Sequence, residues 1–250
     1  MTTRTCTPAA LLALALALPA AAQAPALPSG ASVMDRFVEA TGGKAAYASK
    51  RTMLVKGTME MAAMGLKGTM TLAKAEPDLQ RTEIEFQGLG KMLEGFDGTT
   101  AWAFSALQGP QVKTGEERAF TARSARFHTE DWKQEFKEVK TLALEPVEGE
   151  PCYKVQTTPH QGDPGLQFFS VKTGLLVKAQ AKVKTAMGEI AVESFTRDYR
   201  KAGDVLVAHT LVQSFAGQTI TLRFEQVSWN VDLPKAHFDP PAEVKALIKP

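Results

Sequence analysis

From residue 51 to residue 229, apolar and polar residues alternate in short runs broken by closely spaced turn residues. A period of two sustained over most of a chain confines it to antiparallel β structure, with each strand buried on one face and wet on the other. Met53, Val55, Gly57, Met59 and Met61 share one face of the first run, and Thr52, Lys56, Thr58 and Glu60 make most of the other. Ala62-Ala63-Met64-Gly65 reads as a turn, after which Leu66, Gly68, Met70 and Leu72 form the next apolar face. Pairing across that turn puts Met61 opposite Leu66, Met59 opposite Gly68 and Gly57 opposite Met70, a register that a one-residue slip would invert.

Further strands are predicted at 79–86, 90–96 and 100–104, with turns at Glu76-Pro77-Asp78, around Gly88 and at Asp97-Gly98. After a break they resume at 138–146, 152–158, 166–171, 175–185, 189–200, 204–214 and 219–229. Roughly eleven or twelve strands in a meander curl or close rather than lie flat, so a barrel or half-barrel is expected, with the apolar face inside.

Two segments depart from this period. Val33, Met34, Phe37 and Val38 lie at helical spacing, with Ser32 as a candidate N-cap and Gly42-Gly43 as the stop, which predicts a helix over 33–41. Residues 115–136 are charged and place Phe120, Phe127, Trp132 and Phe136 among polar side chains, which predicts helix in two pieces with an aromatic face. That segment is the candidate lid over the concavity, and a short helical turn is expected at 242–248.

The first 24 residues read as a secretory leader: Arg4, an Ala/Leu stretch, Pro19, then Ala22-Gln23-Ala24 as a cleavage site. Residues 25–30 are a linker and 31–250 a single domain. Cys6 precedes the apolar stretch, so it is not placed for lipid attachment after cleavage. Only Cys152 would remain, leaving no internal disulfide. A soluble, exported, periplasmic protein is therefore expected. A formal net charge of +2 lacks the dense basic character of a nucleic-acid binder.

Catalytic signatures are missing: there is no nucleophile elbow, phosphate loop, zincin helix or paired-cysteine site. The histidines at 128, 160, 209 and 237 are scattered, and His128 beside Glu130 and Asp131 is the one cluster of note. On a charged helix such a cluster reads as a solvated face. Glu83 and Glu85 read as convex-face carboxylates, because Ile84 and Phe86 take the other side. Neither an enzyme nor a cofactor or metal site is expected.

Six of the nine methionines fall between residues 53 and 92. Methionine suits surfaces that accept variable apolar partners, and it also fills ordinary cores. Met64, Leu89 and Met187 sit at hairpin tips where polar residues are usual. An apolar rim of this kind suits docking to a membrane or an envelope protein.

Several stretches resemble a known family: Ala40-Thr41-Gly42-Gly43-Lys44, Gly57-Thr58-Met59, Met64 to Gly68, Glu94-Gly95-Phe96-Asp97-Gly98 with Ala101-Trp102, Thr173-Gly174-Leu175-Leu176, and Asp198-Tyr199-Arg200. Together they are similar to divergent members of the outer-membrane lipoprotein-sorting (LolA/LolB-like) carriers. The resemblance implies an unclosed antiparallel β-barrel capped by helices around a cavity for lipid or lipoprotein acyl chains. The lining expected is Met53, Val55, Met59, Met70, Leu72, Ile84 and Phe86 from the early strands and Trp102 after them. Phe168, Val177, Ile220, Leu222 and Phe224 complete it, with Phe120, Phe127 and Trp132 on the lid. Two rival readings remain open at this point: an envelope interaction module with a filled core, and an envelope-lipid enzyme built around His209.

Overall fold

A computed structural model describes Met1 and residues 26–185 and 188–248. The rest of the leader after Met1 and the tip residue Met187 lie outside the described residues. Thirteen strands follow one another in a single sheet. The first six are β1 (Thr52–Met61), β2 (Leu66–Ala75), β3 (Leu79–Phe86), β4 (Gly90–Phe96), β5 (Ala101–Ser105) and β6 (Gly109–Val112). The other seven are β7 (Phe136–Val147), β8 (Glu150–Pro159), β9 (Gly165–Ser170), β10 (Leu176–Thr185), β11 (Gly188–Ala202), β12 (Val205–Phe215) and β13 (Gln218–Trp229). Helices α1 (Gly30–Ala40) and α2 (Gly43–Ala48) precede the sheet. Helices α3 (Gly115–Ala125) and α4 (Trp132–Glu135) join β6 to β7, and α5 (Ala242–Lys245) ends the tail.

Every neighbouring pair is antiparallel, in the order β6-β5-β4-β3-β2-β1-β13-β12-β11-β10-β9-β8-β7. The first hairpin pairs as its turn predicts, with Met61 opposite Leu66, Met59 opposite Gly68 and Gly57 opposite Met70. Gly65 closes that turn with φ of 64°, a left-handed conformation that favours glycine. The two edges, β6 and β7, are neighbours in sequence and unpaired with each other, so the barrel is open along one seam. Because thirteen strands alternate in direction, β6 and β7 run the same way. Residues 113–135 must therefore travel from one end of the sheet to the other.

The curvature follows from α3, which touches β3, β4 and β5 and also β10. Seven inter-strand steps separate β4 from β10 in the sheet order. A flat sheet would hold them ~34 Å apart at ~4.8 Å per step, whereas a helix is only about 10 Å across. The sheet therefore wraps around α3, and the face that α3 touches is the concave one.

Three differences from the sequence reading have local causes. The sheet has thirteen strands rather than eleven or twelve because four residues containing Pro110 add β6 at an edge, where a missing N–H is tolerated. Helix α1 starts at Gly30, not at 33, because Ser29 is its cap and accepts a bond from the Ser32 amide at 3.1 Å. The six-residue α2 follows the Gly42-Gly43 break and carries no apolar period to announce it.

The sheet is covered on both sides. On the concave side α1 packs Val33, Met34 and Val38 against Trp132, Val155 and Phe169. On the convex side the tail lays Phe238 over Ala73, Ala75 and Leu79, small residues that leave room for the ring.

Candidate binding cavity

Pairing fixes which side chains share the concave face. Phe96 and Ala101 lie opposite each other and pack against Ala125 of α3, which marks their face as concave. The register then carries the same face to Thr82, Ile84 and Phe86 on β3 and to Gly68, Met70, Leu72 and Lys74 on β2. It continues to Met53, Val55, Gly57 and Met59 on β1 and to Ile220, Leu222 and Phe224 on β13. Met53, Met59, Leu72, Ile84, Leu222 and Phe224 are only half-buried there, whereas Val55, Met70, Phe86 and Ile220 are buried.

Trp102, Phe168 and Val177 do not join them. Trp102 pairs with Gly95, one residue out of step with Ala101, and stacks under Arg81 on the convex side. Its neighbours Ala101 and Ala103 are apolar too, so alternation could not fix its face. Phe168 and Phe169 are both buried but on opposite faces, and Phe168 packs convexly with Val147 and Cys152 under the ammonium groups of Lys154 and Lys178. A bulge between Leu176 and Lys178 turns Val177 outward to the same cluster, while Ala179, Ala181 and Val183 keep facing inward.

Helix α3 crosses the concavity and leaves space on both of its flanks. On the β3–β6 flank lies a cavity of about 440 Å³ lined by Ile84, Met92, Ala103, Phe104, Phe120 and Val183, with Thr82, Glu94, Ser105, Lys113 and Glu117 among its polar members. On the β8–β10 flank a smaller cavity of about 230 Å³ is lined by Phe120, Phe136, Leu166, Ala179, Ala181 and Val183, with Arg123 and Glu135. The larger one lies within the span of about 300–1,000 Å³ usual for small-molecule sites, and its wall is mixed, with polar and charged residues as numerous as apolar ones among those described.

Polar contacts anchor α3 and the residues after it. Glu116 and Glu117 in its first turn and Arg123 in its last complement the helix dipole. Lys113 pairs with Glu94 at 2.9 Å and donates to Thr121 at 3.3 Å, and Arg118 donates to the Thr99 carbonyl at 2.9 Å. At the other end, Lys74 Nζ donates to the Arg126 carbonyl at 2.8 Å, and the Phe127 amide donates to Asp78 at 3.1 Å. Burial lowers the Lys74 ammonium to about 8, against the pull of Asp78 and Glu135. Burial also raises the Glu135 carboxyl, which Arg126 and Arg123 only partly offset.

His128 is held between Glu76 at Nε2 and Glu130 at Nδ1. Burial pulls its pKa down, but the two carboxylates outweigh that and leave it above the ordinary imidazole value. Its role here is to tie the crossover to the β2–β3 turn.

The three expected lid aromatics part company. Phe120 borders both cavities; Phe127 packs edge-on to Trp229 and His128. Trp132 is buried in the α1 cluster, its indole N–H donating to Asp35 at 2.9 Å. His209 is a buried imidazole bonded to the Phe224 carbonyl, with no carboxylate among its hydrogen-bond partners in the described residues. Among the described residues, no group of three or more His, Cys, Asp or Glu is placed to hold a metal ion.

The connections β1–β2, β3–β4, β5–β6 and β10–β11 all lie at one end of the sheet, as the alternating strand directions require. Met64 and Leu89 are exposed there, and Leu107, absent from the sequence reading, is 77% exposed at the β5–β6 tip beside the cavity residues Gln108 and Gly109. Its signal was available in Ser-Ala-Leu-Gln-Gly-Pro, where a leucine holds a turn position. No helix among the described residues is long and apolar enough to cross a membrane.

No protein-family model and no curated protein matches the chain. Solved structures do. A LolA superfamily protein from Nitrosomonas europaea aligns with a TM-score of 0.59 at 12% identity, over 86% of this chain and 99% of that one. A DUF1329 family protein from Desulfovibrio piger aligns at 0.58 and 13% identity, over 84% and 97%. A domain from Vibrio parahaemolyticus named for outer-membrane lipoprotein sorting aligns at 0.56 and 13% identity, over 84% and 96%. The chain thus has the fold of these proteins, an open antiparallel half-barrel capped by helices.

Proposed function

We propose that this protein is an exported carrier that binds lipid or lipoprotein acyl chains in the concavity under α3 and carries them toward the outer membrane. The observation that supports this best is the cavity of about 440 Å³ between α3 and the β3–β6 wall, lined by Ile84, Met92, Phe104 and Phe120. A core built for packing alone would close such a space, since interiors are as dense as organic crystals. Half-buried Met53, Met59 and Leu72 extend the apolar surface beyond the cavity, and methionine adapts to guests of varied shape. Each methylene taken from water contributes about 0.8 kcal/mol, so a single alkyl chain supplies useful affinity without polar recognition.

In this reading the leader directs the chain to the periplasm. The apolar tips Met64, Leu89 and Leu107, together with Met187 as the sequence suggests, dock the loaded end against a membrane or an envelope protein. Release follows when a competing apolar site takes the chain or α3 moves aside.

The test is native mass spectrometry with lipid extraction of protein purified from its own periplasm, alongside binding of a fluorescent fatty-acyl probe. Co-purifying lipid and saturable probe binding are expected. Recovery of no lipid together with no probe binding rejects the carrier reading in favour of an interaction module.

A further inference from the structure

Among the described residues, the two cavities flanking α3 share two lining residues, Phe120 and Val183. We propose that Phe120, with Val183 across from it, is the partition that sets the length of alkyl chain this protein accepts; the proposal rests on the carrier reading.

Phe120 is an unusual helix residue here. The residue is 41% exposed, although α3 lies in the concavity. The exposure comes from empty space on both flanks. Among the described residues, neither a ring contact nor a place in a packed cluster ties it down, in contrast to Phe127 and Trp132. The residues that seat α3 are others: Ala122 and Ala125 against Phe96 and Ala101, buried Thr121, and Arg118 on the Thr99 carbonyl. Nothing in the anchoring of the helix requires a large side chain at 120. A phenyl ring kept there acts on the space around it.

The smaller cavity, at about 230 Å³, falls below the size usual for an independent site. Its walls are nonetheless apolar where they meet Phe120, through Phe136, Ala179 and Ala181. It fits as the continuation of the larger cavity. A chain seated against Ile84 and Met92 would run along the wall until it met the Phe120 ring. Shorter chains end before the ring. Longer ones would have to displace it or leave methylenes in water, each forgoing about 0.8 kcal/mol. Apparent affinity should therefore climb with chain length and then level off, with the break set by the side chain at 120.

The experiment measures displacement of a fluorescent acyl probe by saturated fatty acids running from medium to very long chains. Wild type is compared with Phe120→Ala, Phe120→Trp and Val183→Ala, each checked for native circular dichroism. Wild type should level off at a definite length. Phe120→Ala, and to a lesser degree Val183→Ala, should move that break to longer chains and raise affinity for the longest by tenfold or more. Phe120→Trp should leave the break in place or shorten it. An unmoved break in Phe120→Ala, or an equal change at every length, overturns the partition while leaving the carrier reading standing. Failure of wild type to bind any member of the series overturns both.

Discussion

Trp102 lies directly across the β4–β5 pair from Gly95, and its indole fills the place a side chain at Gly95 would take, with Cζ2 only 2.4 Å from the position of a Cβ there. Trp102 is fully buried, on the convex face, with the Arg81 guanidinium 5.6 Å above its ring. Gly95→Ala should therefore cost about 1–3 kcal/mol by overpacking, and Trp102→Ala about 3–5 kcal/mol by the cavity it leaves. Neither should alter acyl-probe binding in protein that remains folded. Urea denaturation paired with probe titration checks both. A folded Trp102→Ala that loses the probe would return this residue to the cavity lining.

Why Trp102 was misplaced shows what one sequence can and cannot disclose. Strands β3 and β4, and the pairing of Met59 with Gly68, were legible because alternation and turn residues agree there. Phe168-Phe169 and Ala101-Trp102-Ala103 carry apolar residues on both faces, because the sheet is covered by α1, α3 and α4 on one side and by the tail and the lysine ammonium groups over Phe168 on the other. Alternation then holds no sign of which face is which. The bulge at Val177 reverses parity within one strand without a glycine or proline to mark it. The candidate site was legible only as a face. That α3 divides its space at Phe120 depends on how far the sheet curls, which no local pattern encodes.

Met92 offers a direct probe of the larger cavity. It faces Ile84 and Ser105 on the concave side and is 43% exposed, so its packing role is small. Met92→Asp should change stability by no more than about 0.5 kcal/mol. It should weaken acyl-probe binding tenfold or more, because an alkyl chain seated there would strip water from the carboxylate. Met92→Leu should bind like wild type. Equal binding by the aspartate variant would move the site elsewhere on the concave face.

Lys74 makes a pH prediction of definite sign. Its folded pKa of about 8 lies below that of an unfolded lysine, about 10.4. Below pH ~8 both states hold the proton, and the cost of burying the charge is present in full. Between ~8 and ~10.4 the unfolded chain binds the proton that the folded chain has released, so stability rises with pH by up to roughly 3 kcal/mol. Lys74→Met should lack that rise. Denaturation curves for the two proteins at neutral and alkaline pH supply the comparison, and parallel pH profiles would show that Lys74 titrates as an ordinary surface lysine.

The Glu76–His128–Glu130 contact should titrate in the opposite sense. Carboxylates on both ring nitrogens raise the His128 pKa despite burial, and the bond from His128 lowers that of Glu76. The histidine contribution is thus present in full below the unfolded value of ~6.5 and is lost as pH rises through the higher folded value. The Glu76 contribution is present above ~4.3 and is lost as pH falls through its lowered folded value. The tie between the crossover and the β2–β3 turn is consequently strongest in the weakly acidic range, and it loosens first on the alkaline side. Hydrogen exchange over residues 126–131, corrected for intrinsic rates, should accelerate there in wild type. In His128→Gln it should be fast throughout, with melting about 1–3 °C lower at weakly acidic pH only. An exchange profile in His128→Gln that keeps the wild-type pH dependence would remove His128 from the anchoring of this segment.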